Sequence, residues 1–152
     1  MIDLKKLVLI PGEKVYAVFV DVSVLNVDGN LFDTTSYAVV SALLTAKLPK
    51  LEVRDGKVVD TGELAPAPIH TVPISVTMAK IGDTIVADPT SEEEACMDAR
   101  VTMTTDAEGH VCAVQKGGTG TFTAEQVNYV VGTALSKGQE IRAKIKGVVG
   151  TG

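Results

Sequence analysis

Between Lys14 and Asn26 the chain reads KVYAVFVDVSVLN, with Val18, Val20, Val22 and Val24 alternating against Ala17, Phe19, Asp21 and Ser23. Alternation of this length predicts a β-strand with one wholly apolar face. A strand of that kind cannot stand alone, because its apolar face needs a second layer and its edges need partners. Residues 1 to 13 offer at most one further strand, from Leu4 to Ile10. The expectation is that another chain completes this sheet, or that matching residues lie upstream of Met1.

After the strand, Asp28-Gly29 supplies turn chemistry, and Tyr37, Val40, Leu44 and Leu48 recur at helical spacing, which predicts a helix from Thr34 to Leu48 ended by Pro49. Residues 49–73 hold Pro49, Pro66, Pro68 and Pro73 and read as a linker arm whose only local order is a short hairpin at Asp55-Gly56. Four short strands follow, at Ile74–Ala79, Thr84–Ala87, Ala99–Thr105 and His110–Gln115, with turns at Gly82-Asp83 and Asp106 to Gly109. A long helix closes the chain: Thr123 is the N-cap, Gln126 its capping-box partner, Phe122 and Val127 a hydrophobic staple, and Gly147 the stop. The whole is an α+β chain divided at 1–48, 49–73 and 74–152.

Composition narrows the function. At 152 residues, with 45% hydrophobic and 22% charged residues, the chain suits an ordinary folded core and not disorder. The net charge of −5 repels a phosphate backbone, and three Tyr, three Phe and no Trp leave little surface for stacking bases. Any RNA contact must lean on partners. No apolar run approaches the roughly 20 residues of a membrane span, and the first residues lack the layout of a secretion signal, so the expected location is cytoplasmic. Cys96 and Cys112 form no C-x-x-C pair and are expected to be buried, reduced thiols.

Three segments have the raw material of chemistry. Asp88-Pro89-Thr90-Ser91-Glu92-Glu93-Glu94, followed by Asp98 and Arg100, clusters carboxylates on a loop leaving a strand, where a hard cation would find oxygens. The plainer reading is a solvated helix start, capped by Ser91. Lys116 to Thr121 offers bare backbone N–H groups before the long helix, but its lysine precedes the glycines and so does not match a nucleotide-binding loop; a tight turn explains it better. His70 and His110 lack any spacing that reads as a metal set, and no G-x-S-x-G surrounds a serine or threonine.

Two long stretches, VDVSVLNVDGNLFDTTSYAVVSALL from Val20 and AKIGDTIVADPTSEEEACMDARVTMTTDAEGHVCAVQKGGTG from Ala79, closely resemble the RNase PH family, and within it the non-catalytic ring subunit of the archaeal exosome. The resemblance implies the end of a first domain (strand, turn, helix), then a complete second domain with a four-stranded sheet and long C-terminal helix. It also implies that an N-terminal portion is missing, through truncation or a misplaced start. Active relatives degrade RNA from its 3′ end with phosphate as nucleophile, in rings of six subunits.

Residue by residue, the resemblance implies a dismantled site. Active members follow the Asp-Gly turn with a Gly-Thr/Ser-Arg motif that binds phosphate; here Asn30, Leu31 and Phe32 stand there. An apolar ring cannot donate a bidentate hydrogen bond to an oxyanion. Active members also carry an aspartate at the place of Glu94 and another at that of Arg100, six and twelve residues beyond the one matching Asp88, and a cation repels the metal those carboxylates would hold. The implied role is therefore structural: no catalytic residue, no cofactor, no metal, and a catalytic RNase PH-type subunit as partner, with RNA met through the complex. Two other readings are a divergent phosphorolytic exoribonuclease holding metal with Asp88, Glu94 and Asp98, and a small self-associating domain.

Overall fold

The computed structural model describes residues 1–150. A 3-10 turn at Leu4–Leu7, capped by Asp3, precedes β1 (Val8–Ile10) and β2 (Lys14–Val15). Next come α1 (Leu31–Thr45), β3 (Lys47–Arg54), β4 (Lys57–Pro66), β5 (Ile74–Ile81) and β6 (Thr84–Ala87). They are followed by α2 (Ser91–Cys96), β7 (Ala99–Thr105), β8 (Val111–Gly118) and α3 (Ala124–Val149). The chain is α+β, as its sequence predicts, with a four-stranded antiparallel sheet of order β6-β5-β7-β8 and a long C-terminal helix.

Register divides the sheet by chemistry. Val76 faces Met103 and Met78 faces Val101, and these four join Val130 and Ala134 of α3 in one buried cluster. On the alternate positions Ser75 faces Thr104 and Thr77 faces Thr102, and each pair shares a hydroxyl hydrogen bond, at 2.9 and 2.7 Å. A second cluster, Val40, Val72 and Ile74, seats α1 against β5, with Ile141 and Ile145 of α3 behind it. Arg142 of α3, 4% exposed, donates from Nε to the Val72 carbonyl and from Nη2 to that of Thr105, both at 2.7 Å. Helix and sheet approach closely here because residue 138 is glycine: a Cβ on Gly138 would lie 2.6 Å from Thr105 Oγ1.

Several expectations are corrected. Only Lys14–Val15 of the long strand is in a strand pair; Tyr16 N–H still donates to the Leu7 carbonyl at 2.8 Å, residues 17–26 lie in no strand, and Phe19, Val20, Val22, Val24 and Leu25 are exposed, because the described residues supply no strand to meet them. Leu4–Ile10 is half 3-10 turn, since Asp3 caps Lys5 N–H and draws the backbone into a turn. The first helix starts earlier and ends sooner than predicted, at Thr45, where Ala46 is already extended.

Pro49 ends no helix but sits in β3, where the pairing of β3 with β4 shifts register between Pro49 and Leu51, consistent with a residue that has no N–H for the ladder. The arm is thus mostly a long ribbon. Its turn uses positive φ at both Asp55 (50°) and Gly56 (73°), as a two-residue hairpin loop demands. Thr90 caps α2, completing a capping box with Glu93, and Ser91 is the first helical residue. Helix α3 keeps its predicted Thr123–Gln126 capping box but runs through Gly147 to Val149. Both cysteines are exposed.

On the solvent face of α3, Glu140 accepts from Lys144 at 2.8 Å and Lys137 at 2.9 Å. Hydrogen bonds from these two lysines, with their charges, hold its carboxyl down from 4.5 to about 2. A depressed carboxylate stabilises the fold above its unfolded pKa and loses that contribution as pH falls toward the folded value. An NMR titration of the Glu140 carboxyl is expected to show a midpoint near 2; a midpoint near 4.5 in the folded chain would disprove the bridge.

Candidate functional site

The turn before α1 is pressed into the second half of the chain. Gly29 has φ +90°, and a Cβ there would stand 2.4 Å from the Pro89 carbonyl oxygen and 2.6 Å from Ser91 N. No side chain fits that gap, so backbone meets backbone. Asn30 follows in the left-handed region (φ 44°) and caps α1, its Oδ1 accepting from Asp33 N.

From this position Asn30, 3% exposed, reaches three carboxylates. Its Nδ2 donates to Asp88 Oδ1 at 2.6 Å and to Asp33 Oδ2 at 2.9 Å, and its backbone N–H donates to Glu94 Oε1 at 3.2 Å. Asp88 is itself left-handed (φ 59°) and anchored by its N–H to the Thr77 carbonyl. Asp33 is 3% exposed and also accepts from Thr77 N at 2.7 Å and Thr77 Oγ1 at 2.8 Å. Burial pushes the Asp33 carboxyl up; the bonds from Asn30 and Thr77 pull the other way, and the charge of Asp88 adds to the rise. Burial likewise raises the phenol of Tyr37, with Asp33 and Asp88 contributing.

Phe32 and Arg100 meet directly. The guanidinium lies over the ring, 4.3 Å from its centroid, within the range of a cation–π contact. Arg100 reaches it by running flat across Gly117, its partner on β8, where a Cβ would stand 3.0 Å from Nε. Leu31, 41% exposed, borders a cleft of about 320 Å³ together with Asp28, Thr34 and Asp88. Asn30, Phe32, Asp88, Glu94 and Arg100 therefore gather in one place, although they are far apart in sequence. Asp98 does not join them: its Oδ2 accepts from Gly82 N at 2.8 Å and its main chain bonds Lys80 and Gly120.

Asp33 escaped the sequence reading. The signal was available, since Asn30 with Asp33 three residues on is the pattern of an N-cap and an acidic first turn. The glycines of 117–120 serve packing: besides Gly117, a Cβ on Gly118 or Gly120 would run into the backbone of Asp98 at 2.6 or 3.0 Å. A second correction concerns His110. Asp106, Glu108 and His110 bring ligand-type atoms within 4.8 Å of one another at the β7–β8 turn, the only such group among the described residues. Asp106 there accepts from the backbone N–H of Glu108 and His110 and pairs with His110 Nδ1 at 2.9 Å, so it also holds the turn.

Comparison with known proteins gives the family. Residues 3–49 match the 3′ exoribonuclease family, domain 1, and residues 71–137 match domain 2 of that family. The exosome complex component Rrp42 of Thermococcus gammatolerans is 48% identical over 152 residues, 99% of this chain and 56% of that protein. The protein of the same name from Pyrococcus horikoshii is 50% identical over 93% of this chain and 52% of its own length. Among solved structures, an archaeal exosome core superposes with a TM-score of 0.84 at 34% identity, covering 95% of this chain and 56% of that one. An Archaeoglobus fulgidus exosome with RNA bound to the active site gives the same score and identity. The chain spans about half the length of the relatives it matches. With both domain signatures in order and an archaeal exosome subunit as its structural counterpart, the chain belongs to the 3′ exoribonuclease family of RNase PH type.

Proposed function

We propose that the chain acts as a non-catalytic ring subunit of an archaeal-type exosome, bracing a catalytic RNase PH-type partner that degrades and processes RNA from its 3′ end. The observation that carries this reading is the Phe32–Arg100 stack beside the Asn30 hydrogen bonds. By resemblance, these positions should present cationic and hydroxyl groups to phosphate and carboxylates to a metal. Here they are occupied with one another. The Phe32 ring itself has no donor for an attacking phosphate, the Arg100 cation stands where the resemblance expects a carboxylate for metal, and Asp88 and Glu94 face amide N–H groups of Asn30 in place of a cation.

The division at 1–48, 49–73 and 74–152 fits this reading, with α1 as the end of a first domain and the four-stranded sheet with α3 as the second. No helix among the described residues is long and apolar enough to cross a membrane.

The test is direct. Single-stranded RNA incubated with the chain alone and inorganic phosphate is expected to release no nucleoside diphosphate, while mixing with a catalytic family member is expected to give co-elution on size exclusion. Diphosphate release by the chain alone would establish the divergent enzyme instead. Failure to co-elute would remove the structural role.

A further inference from the structure

Asp33, Asp88 and Glu94 come from three separate elements: the first turn of α1, the loop after β6, and α2. None of the three forms an ion pair with a lysine or arginine among the described residues. Carboxylates that converge without a cation repel one another, the more so where burial removes water. What stands between them is Asn30, which gives its side-chain amide to two and its backbone N–H to the third. Through Asp33 the same set reaches Thr77 and Thr102 in the middle of the sheet.

We propose that Asn30 is a neutral latch: its amide takes the place of a cation among Asp33, Asp88 and Glu94 and so fastens the start of α1 to the second-domain sheet. The positions that resemblance assigns to chemistry become the joint between the two family domains. This deepens the structural reading of the chain and rests on it only for the meaning of the joint, since the latch is measured on the chain alone and the ring role by co-elution and RNA assay.

Asn30→Asp separates a latch from a mere helix cap. Aspartate caps a helix as well as asparagine does and tolerates the left-handed region comparably, so a capping role leaves the variant unharmed. A latch fails, because the Nδ2 donor is replaced by another carboxylate facing Asp33 and Asp88. Hydrogen exchange of the intact chain is expected to quicken about 10-fold or more at the Thr77 amide and across 29–33 and 88–94, with the β7–β8 amides unchanged. Neutralising the repulsion in the double variant Asn30→Asp with Asp88→Asn is expected to restore slow exchange, and to restore folding if the single variant does not fold. Exchange within about twofold of the parent for Asn30→Asp, or a double variant no better than the single, overturns the proposal.

Discussion

Replacing Gly29 by alanine is expected to lower stability by about 3–5 kcal/mol in urea denaturation, a large share of the roughly 5–15 kcal/mol that holds a domain together. Two costs add. An L side chain at φ +90° is strained by about 1–3 kcal/mol, and the new methyl meets the Pro89 and Thr90 backbone at 2.4 and 2.5 Å, an overpacking of similar size. Neither neighbour is a flexible side-chain end, so relief requires α1 and the start of α2 to part. Gly62 is the internal control. It too has positive φ, +76°, but a Cβ there meets nothing within 4 Å, so Gly62→Ala is expected to cost only about 1 kcal/mol. Equal losses at the two positions would mean that Gly29 is needed for its dihedral alone.

The second large effect is at Arg142. Truncation to alanine removes the buried donors to the Val72 and Thr105 carbonyls and empties the space filled by the side chain, with an expected loss of about 3–4 kcal/mol in the same measurement. Burial draws the Arg142 pKa down, against the pull of Asp106, Glu108 and Cys112, and the planar guanidinium spans both acceptors at 2.7 Å. A lysine ammonium has no such fork, so Arg142→Lys is expected to recover only about half of the loss. Full recovery by lysine would show that charge matters here and geometry does not.

The second half of the chain was legible because its local and tertiary signals agree. Thr84–Ala87 starts where the Gly82-Asp83 turn ends, Ala99–Thr105 ends where the turn at Asp106 begins, and the Thr123–Gln126 box starts α3. The ribbon of β3 and β4 was hidden by Pro49 and Pro66. A two-stranded ribbon has only edge strands, where a missing N–H is tolerated, so prolines that speak against a central strand are compatible with this one. The start of α1 was misplaced for another reason: periodicity locates the apolar stripe, whereas the helix begins where Asn30 finds its partners, two of them nearly sixty residues or more away. The Phe32–Arg100 contact is equally non-local, and only the family resemblance hinted that the two belong together. Exposure of both cysteines was unreadable because composition ranks them with core residues, while Cys96 ends a short surface helix and Cys112 lies on an edge strand.

The run from Tyr16 to Asn26 has a consequence at the bench. Beyond the Tyr16 N–H, which bonds the Leu7 carbonyl, its peptide groups join no strand among the described residues, and Phe19 and Leu25 are 86% and 97% exposed. Such a stretch is adhesive in proportion to protein concentration, so dilute preparations are expected to stay clear while concentrated ones cloud over. If the proposed catalytic partner covers this run, a host that makes both chains at the same time is expected to yield more usable material than one making this chain by itself.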